Sequence, residues 1–94
     1  MTFGLDITPE AEGDLARLID SLPPDRRSAA FDAVLQSLRA LAANPGLATR
    51  TRFDRPTYRF SFTASGVRYR WVASFRYSMD ESRVVITQLY RLKL

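Results

Sequence analysis

The sequence contains no cysteine and no histidine, and these two absences remove much of the chemistry that small proteins commonly use. Without cysteine there is no disulfide, no thiolate nucleophile and no thiolate metal ligand. Without histidine the chain lacks the usual base at neutral pH, the commonest metal ligand and any Ser-His or Cys-His pair. If the chain is an enzyme, its catalytic groups must be arginine, tyrosine, serine, threonine or carboxylates.

Long apolar runs are missing as well. No stretch approaches the roughly 18 apolar residues of a membrane-spanning helix. The N-terminus lacks the basic and apolar regions of a signal peptide, so we expect a cytoplasmic protein that does not use a membrane. The carboxylates show no metal-ligand grouping, and the four glycines form no phosphate-binding loop, so no metal and no cofactor is expected.

What the sequence does contain is arginine, and it is unevenly placed. The formal net charge is +4, and 14 of the 94 residues are basic. Seven of the ten acidic residues lie in residues 1–48, whereas nine arginines lie in residues 49–94. A basic half favours a polyanion or an acidic protein as partner. The alternative is a solvated surface in a protein from an arginine-rich genome.

The length and the 46% hydrophobic content predict one folded domain over residues 1–94. Two amphipathic helices are predicted between residues 8 and 44. Thr8-Pro9 is typical of a helix start, Pro23-Pro24 separates the two helices, and Asn44-Pro45 ends the second. The short break predicts an antiparallel helical hairpin. The predicted apolar stripes are Ala11, Leu15, Leu18, Ile19 and Leu22 in the first helix, and Phe31, Val34, Leu35, Leu38, Leu41 and Ala42 in the second.

One strand is predicted before the helices and three after them. Apolar residues alternate along residues 3–7, and strand patterns follow over 57–63, 67–77 and 83–91. Residues 47–56 have the pattern of a loop or a weak strand. Because the last three strands are joined by short turns, they predict an antiparallel meander with the helical hairpin on one face. The fold class is therefore α+β with the order βααβββ, and the first strand joins an edge of the sheet.

Arginines and aromatic residues alternate along two of these strands. Alternation places Arg59 and Arg68 on the side opposite the aromatic residues, which we expect to pack on the helices. Base stacking by the aromatic residues is the lesser alternative. In a simple register Arg59 and Arg68 approach each other across the hairpin, and two such charges favour an anion between them. The alternative is that both point into water at little cost. Arg70 and Arg76 continue the same side.

These features together resemble the RelE/ParE superfamily of toxins from bacterial type II toxin–antitoxin modules. The resemblance rests on the order βααβββ, on Thr8-Pro9-Glu10-Ala11, on the Asn44-Pro45 break and on the run Tyr58-Arg59-Phe60…Ser65-Gly66-Val67-Arg68. It covers nearly the whole chain. RelE-like members are ribonucleases that cut mRNA on the ribosome without metal and leave a 2′,3′-cyclic phosphate. ParE-like members instead poison DNA gyrase.

The resemblance also implies site residues. By position, Arg59, Arg68 and Arg91 match basic residues that hold the scissile phosphate, whereas Ser61 stands where relatives have a second basic residue. RelE-like nucleases often continue into a helix with a catalytic tyrosine or histidine; this sequence ends soon after Arg91, so Tyr90 is the candidate for that role. Tyr90 is expected to face away from Arg91 in an ideal strand. The residues expected to contact the RNA backbone are Arg50, Arg52, Arg55 and Arg70.

The resemblance implies a cognate antitoxin as partner, together with mRNA and the ribosome. Two other interpretations stay open. One is a ParE-like binder of gyrase, or a member without activity; the other is a small basic RNA-binding module unrelated to toxins. The sequence leaves the oligomeric state, the codon preference and the antitoxin-binding surface undefined.

Overall fold

The computed structural model describes residues 4–44, 49–50, 56–78 and 82–92. It confirms the α+β class and the predicted element order, and it adds a two-residue strand where a loop or weak strand was expected. The elements are β1 (Gly4–Ile7), α1 (Pro9–Asp20), α2 (Pro24–Ala43), β2 (Thr49–Arg50), β3 (Pro56–Ala64), β4 (Val67–Ser78) and β5 (Arg83–Arg91). No helix in these ranges is both long and apolar enough to cross a membrane.

The helix ends lie where the punctuating residues place them. Thr8 caps α1, since its hydroxyl accepts a hydrogen bond from the Ala11 amide at 3.2 Å. Pro9 occupies the first turn, where its missing N–H is not needed. Proline also begins α2 at Pro24, and the helix stops before Asn44. The predicted helical hairpin is therefore confirmed.

The sheet has the strand order β1-β5-β4-β3-β2. The pairs β3–β4 and β4–β5 are antiparallel, which confirms the meander. β1 joins the β5 edge in the parallel sense, so the sheet is mixed rather than wholly antiparallel. A parallel pair needs a long crossover, and the helices and intervening strands between β1 and β5 supply it.

Both helices pack on one face of the sheet, and the aromatic residues of β3 and β4 lie beneath them. Trp71 is 1% exposed and belongs to a core that includes Val34, Leu38, Leu41 and Ile86. The Phe62 ring meets the Trp71 ring edge-on, with ring centroids 5.0 Å apart. It also stacks on Tyr69 at 5.4 Å. The interpretation of these aromatic residues as core is confirmed, and the opposite face of the sheet, here called the open face, carries the arginines.

One predicted core residue was wrong. Phe31 is 42% exposed, whereas its neighbour Ala30 is fully buried. Adjacent helical residues point about 100° apart, and here Ala30 faces the sheet while Phe31 points away from it. The stripe that meets the sheet continues from Ala30 through Val34 and Leu38, and this leaves Phe31 at the surface.

A β-bulge interrupts the pairing of β4 with β5. Ser74 pairs with Gln88, but the next residue, Phe75, pairs with Ile86, so Thr87 is an extra residue in β5. The Thr87 hydroxyl donates a hydrogen bond to the Ser74 carbonyl at 3.1 Å. Because one residue is inserted, the alternation of β5 changes phase. Ile86 faces the core before the bulge, and after it Gln88 and Tyr90 face the open side.

An ion pair fastens β1 to the start of β5. Two guanidinium nitrogens of Arg83 donate to the two oxygens of Asp6. The guanidinium lies over Gly4, where an added Cβ would come within 3.2 Å of an Arg83 nitrogen. The hydrogen bond from Arg83 lowers the pKa of Asp6; desolvation opposes this shift, and the charge of Arg83 adds to it.

We expect Leu38→Ala to lower the free energy of unfolding by about 2–5 kcal/mol, because a fully buried leucine leaves a cavity. Phe31→Ala should cost only about 0.5 kcal/mol, as surface substitutions do. Urea unfolding followed by circular dichroism measures both. A loss of several kcal/mol for Phe31→Ala would contradict the position of Phe31 at the surface.

Asp6→Asn should make stability less dependent on pH. A carboxyl whose pKa is lowered in the folded state stabilises the fold above its unfolded pKa, near 3.8, and loses this effect as the pH falls through the folded pKa. The difference in free energy of unfolding between the parent protein and Asp6→Asn should therefore shrink on acidification below pH 3.8. Gln36→Ala, which removes an exposed side chain of α2 that does not titrate, is the control and should show no such convergence. A pH-independent difference for Asp6→Asn would contradict the pairing.

Candidate functional site

The middle of the open face is a row of three side chains that crosses three strands. Arg59 of β3 lies opposite Val72 of β4, and Val72 lies opposite Tyr90 of β5. Val72 is only 2% exposed although it is not part of the core on the helix side. Arg59 and Tyr90 flank it in the register, and both remain exposed. The row therefore presents a guanidinium and a phenol on either side of a covered valine.

Two further arginines lie between this row and the β3–β4 turn. Arg70 is opposite Ser61, and Arg68 is opposite Thr63. A guanidinium nitrogen of Arg68 is 3.3 Å from the Ser61 hydroxyl and donates to it. Ser61 is two positions from Arg59 along β3, so it lies between Arg59, Arg68 and Arg70 on the open face. These three arginines and Ser61 form a basic cluster with the Ser61 hydroxyl at its centre.

This register corrects one expectation. Arg59 and Arg68 share a face, as predicted, but they are not opposite each other. Val72, the partner of Arg59, is four residues from Arg68 along β4, a separation of about 13 Å at a rise of about 3.3 Å per residue. Arg70 lies between them and is the nearer arginine to Arg59. Strand alternation identified its side of the sheet, but only the pairing shows that it is central.

Two shallow depressions open on this cluster, and they share Arg70, Trp71 and Leu92. One, of about 190 Å³, is completed by residues around Arg59. The other, of about 330 Å³, is completed by Arg68, Tyr69 and Arg91. The backbone places Leu92 here, since its N–H donates to the Arg70 carbonyl at 2.9 Å. Arg70 can therefore contact a ligand in either depression.

Tyr90 faces away from Arg91, as expected, but it is Tyr90 and not Arg91 that lies on the open face with Arg59 and Arg68. Arg91 pairs with Trp71, whose side chain belongs to the helix side, whereas Tyr90 pairs with Val72 on the open face. Arg91 is exposed at the end of the sheet and lines the depression next to Arg68. It does not lie between Arg59 and Arg68. The cause is the bulge, which shifts the alternation of β5 by one residue.

Solved structures of similar fold are toxins of toxin–antitoxin pairs. The toxin–antitoxin complex RelBE2 from Mycobacterium tuberculosis matches 98% of this chain and 93% of its own, with a TM-score of 0.65 and 20% identity. A mutant of the E. coli toxin RelE in the free state matches 97% of this chain and 84% of its own, with a TM-score of 0.53 and 13% identity. The chain has the fold of RelE toxins. Its sequence matches no protein-family model and no curated protein.

In this RelE-like fold the helices hold the arginine-bearing strands from behind. Arg26 of α2 donates to the Tyr69 hydroxyl at 3.0 Å, between Arg68 and Arg70 along β4. Asp14 of α1 accepts from the Leu89 amide at 3.1 Å, one residue before Tyr90. The pKa of Tyr58 is raised by burial. Tyr58 packs against the core, so Tyr90 is the tyrosine placed beside the arginines.

The open face of this RelE-like fold is basic. Among the described residues, the acidic side chain that the register places on the open face is Asp6, and it is paired with Arg83. Arg76 extends the basic surface along β4 and is exposed. Within the described ranges no three acidic residues are grouped so that they could hold a metal ion. The surface is therefore suited to a polyanion, which arginines bind through bidentate contacts.

All four predicted backbone contacts, that of Arg70 included, remain predictions. Arg52 and Arg55 lie outside the described residues. Arg50 belongs to β2, whose neighbour is the first part of β3. Its role in RNA contact stays a prediction made from the sequence.

We expect Arg70→Ala to weaken binding of a short single-stranded RNA and to reduce its salt dependence. Each phosphate contact to a single strand contributes about 0.7 to the slope of log K against log salt concentration. The slope should therefore fall by about 0.7 or more for Arg70→Ala, whereas Arg39→Ala on the exposed side of α2 should leave it unchanged. Fluorescence anisotropy across a salt series measures both. Equal slopes for the two variants would place the RNA elsewhere.

Proposed function

We propose that this chain is the toxin of a type II toxin–antitoxin module and acts as a RelE-like, ribosome-dependent mRNA endoribonuclease. The observation that carries the proposal is the middle row of the open face. In this row Arg59 of β3 and Tyr90 of β5 lie on either side of Val72, and Arg70 lies in the next row of the same face, on the fold of RelE toxins. A phenol and several guanidiniums on one rigid surface can act on an RNA phosphate without a metal ion.

The reaction is an internal transfer of the phosphate. The 2′-oxygen attacks the neighbouring phosphorus, the bond to the 5′-oxygen breaks, and a 2′,3′-cyclic phosphate and a 5′-hydroxyl are formed. The 2′-hydroxyl loses a proton and the 5′-oxygen gains one, so no other reactant is consumed. Negative charge grows on the phosphate oxygens in the transition state. Donors fixed around these oxygens lower the barrier, and Arg59, Arg68 and Arg70 supply them in this proposal.

In this proposal Tyr90 contacts the attacking 2′-hydroxyl of the RNA. Its ring is 43% exposed, which leaves the phenol accessible to a nucleotide that lies across Arg59 and Arg70. The chain has no histidine, so acid–base help must come from another residue. In this assignment the phenol hydrogen-bonds the 2′-hydroxyl and orients it towards the phosphorus. Arg91, at the end of the sheet, supports the RNA backbone rather than the scissile phosphate.

The same surface suggests how an antitoxin would inhibit the chain. One solved neighbour is a toxin–antitoxin complex, and we propose a cognate antitoxin for this chain as well. An extended acidic segment laid on Arg59, Arg68 and Arg70 would occupy the phosphate-binding groups. Inhibition would then follow from direct competition with RNA and would weaken at high salt.

Induction of the chain in bacterial cells should produce mRNA cuts within translated codons, mapped as new 5′ ends by primer extension. Arg70→Ala should reduce cutting by about 10²–10³-fold, because it removes a donor to the developing charge. Tyr90→Phe should reduce it by about 10²-fold, because the 2′-hydroxyl loses the phenol that orients it towards the phosphorus. Arg39→Ala is the matched control, since it removes an exposed arginine from the helix side.

Three outcomes would contradict the proposal. Undiminished cutting by Arg70→Ala would remove the open face from the reaction. Growth arrest with intact mRNA and inhibited DNA supercoiling would indicate a gyrase poison. The absence of both growth arrest and cuts would leave a basic module without toxin activity.

A further inference from the structure

A second groove lies beside the middle row, on the side away from the β3–β4 turn. Its volume is about 870 Å³, and Ser74, Arg76, Thr87 and Gln88 line it together with Glu10 from the start of α1. Binding clefts for small organic groups commonly have volumes of about 300–1,000 Å³. The groove is therefore large enough for a nucleobase, and it adjoins the surface proposed to hold the phosphate.

Gln88 reaches this groove because of the bulge. It pairs with Ser74 in the row directly next to the one that contains Val72 and Tyr90. Two positions along a strand are about 7 Å apart, so Gln88 and Tyr90 are neighbours on the open face. Gln88 is exposed, and an uninterrupted strand would have turned it towards the core instead. Bulges beside functional sites often re-aim a side chain in this way.

The lining of the groove differs from the arginine cluster in a way that fits a base. The Gln88 amide offers both donors and an acceptor, and Ser74 adds a hydroxyl. Glu10 contributes a carboxylate, which repels phosphate but accepts hydrogen bonds from N–H groups. The carboxylate of Asp14, at the same groove, already accepts from Leu89 and pairs with Arg17. The arginine cluster and this groove are thus complementary to the two halves of one nucleotide.

We propose that this groove is a base-recognition subsite and that Gln88 is a specificity-determining residue. The inference rests on the proposed function, because the base belongs to a nucleotide next to the scissile phosphate. A glutamine amide forms two hydrogen bonds with adenine, one to N6 and one to N7 of the base. Glu10 can accept from the exocyclic amino group of adenine, whereas uracil carries the O4 acceptor at that position, which a carboxylate repels. The subsite therefore favours bases with an exocyclic amino group, adenine above all, over uracil.

The first test compares the codons cut by the parent chain with those cut by Gln88→Ala. Gln36→Ala is the control, because it removes an exposed glutamine from α2. One good bidentate pair contributes roughly tenfold discrimination or more between bases. We expect the preference for adenine over uracil to fall about tenfold in Gln88→Ala, measured as the ratio of cuts at the two bases so that the overall rate of cutting does not enter. Gln36→Ala should cut with the parent preference. An unchanged preference in Gln88→Ala would overturn the subsite and leave the proposed function standing.

The second test does not depend on cleavage. Backbone amide signals of the ¹⁵N-labelled chain are followed by NMR during titration with adenosine 3′-monophosphate, uridine 3′-monophosphate and inorganic phosphate. Adenosine 3′-monophosphate should shift Ser74 and Gln88 more than uridine 3′-monophosphate does, and phosphate alone should shift only the residues around Arg70. Equal shifts with both nucleotides, or none at Gln88, would overturn the subsite. Base-dependent shifts in a chain that does not cut mRNA would support the subsite and contradict the nuclease.

Discussion

The extra residue in β5 determines which side chains of this strand reach the core and which reach the open face. Val84 and Ile86 are fully buried before the bulge, and Leu89 is 3% exposed after it. If the alternation continued without the insertion, residue 88 would follow residue 86 into the core and Leu89 would face water. The bulge lets both apolar segments pack on the helices. The same shift brings Tyr90 level with Arg59 and places Gln88 in the neighbouring groove.

In the proposed function, the helix side provides stability and the open face binds the RNA. The helix side supplies the aromatic and aliphatic core, and it also fixes the sheet through Arg26 on Tyr69 and Asp14 on Leu89. These contacts lie directly behind the strands that carry the arginines, so the open face is held by packing that no ligand has to disturb. Sites on strands are placed more accurately than sites on loops, and a phosphate-binding surface depends on such accuracy.

Local signals explain how much of this could be predicted from the sequence. Thr8-Pro9, Pro23-Pro24 and Asn44-Pro45 act within a few residues of themselves, so they mark helix ends without knowledge of the fold. Alternation likewise assigned Arg59, Arg68 and Arg70 to one side of the sheet. The Ser65-Gly66 turn sets the register of β3 with β4, since Ala64 pairs with Val67, and counting outward from it pairs Arg59 with Val72 rather than with Arg68. This register separates Arg59 from Arg68 and makes Arg70 the central cation.

Two other differences depend on how separate elements fit together, which the pattern of a single element does not show. Phe31 and Ala30 are adjacent on α2, and the helical period alone does not decide which of them meets the sheet. In β5, a bulge has no signature in the alternation of Val84, Val85 and Ile86, so the sequence did not show that Tyr90 rather than Arg91 shares the open face with Arg59. Bulges arise from how two strands fit together, and they are visible only when both strands are in place.

The most direct test of the account is a crystal structure of the chain bound to a short RNA whose attacking 2′-hydroxyl is methylated, which prevents the transfer. The account predicts the blocked phosphate within hydrogen-bond distance of Arg70 and of Arg59 or Arg68, with the Tyr90 hydroxyl next to the methylated 2′-oxygen. RNA bound instead to the helix side, around Arg27 or Arg39, would contradict the role of the open face.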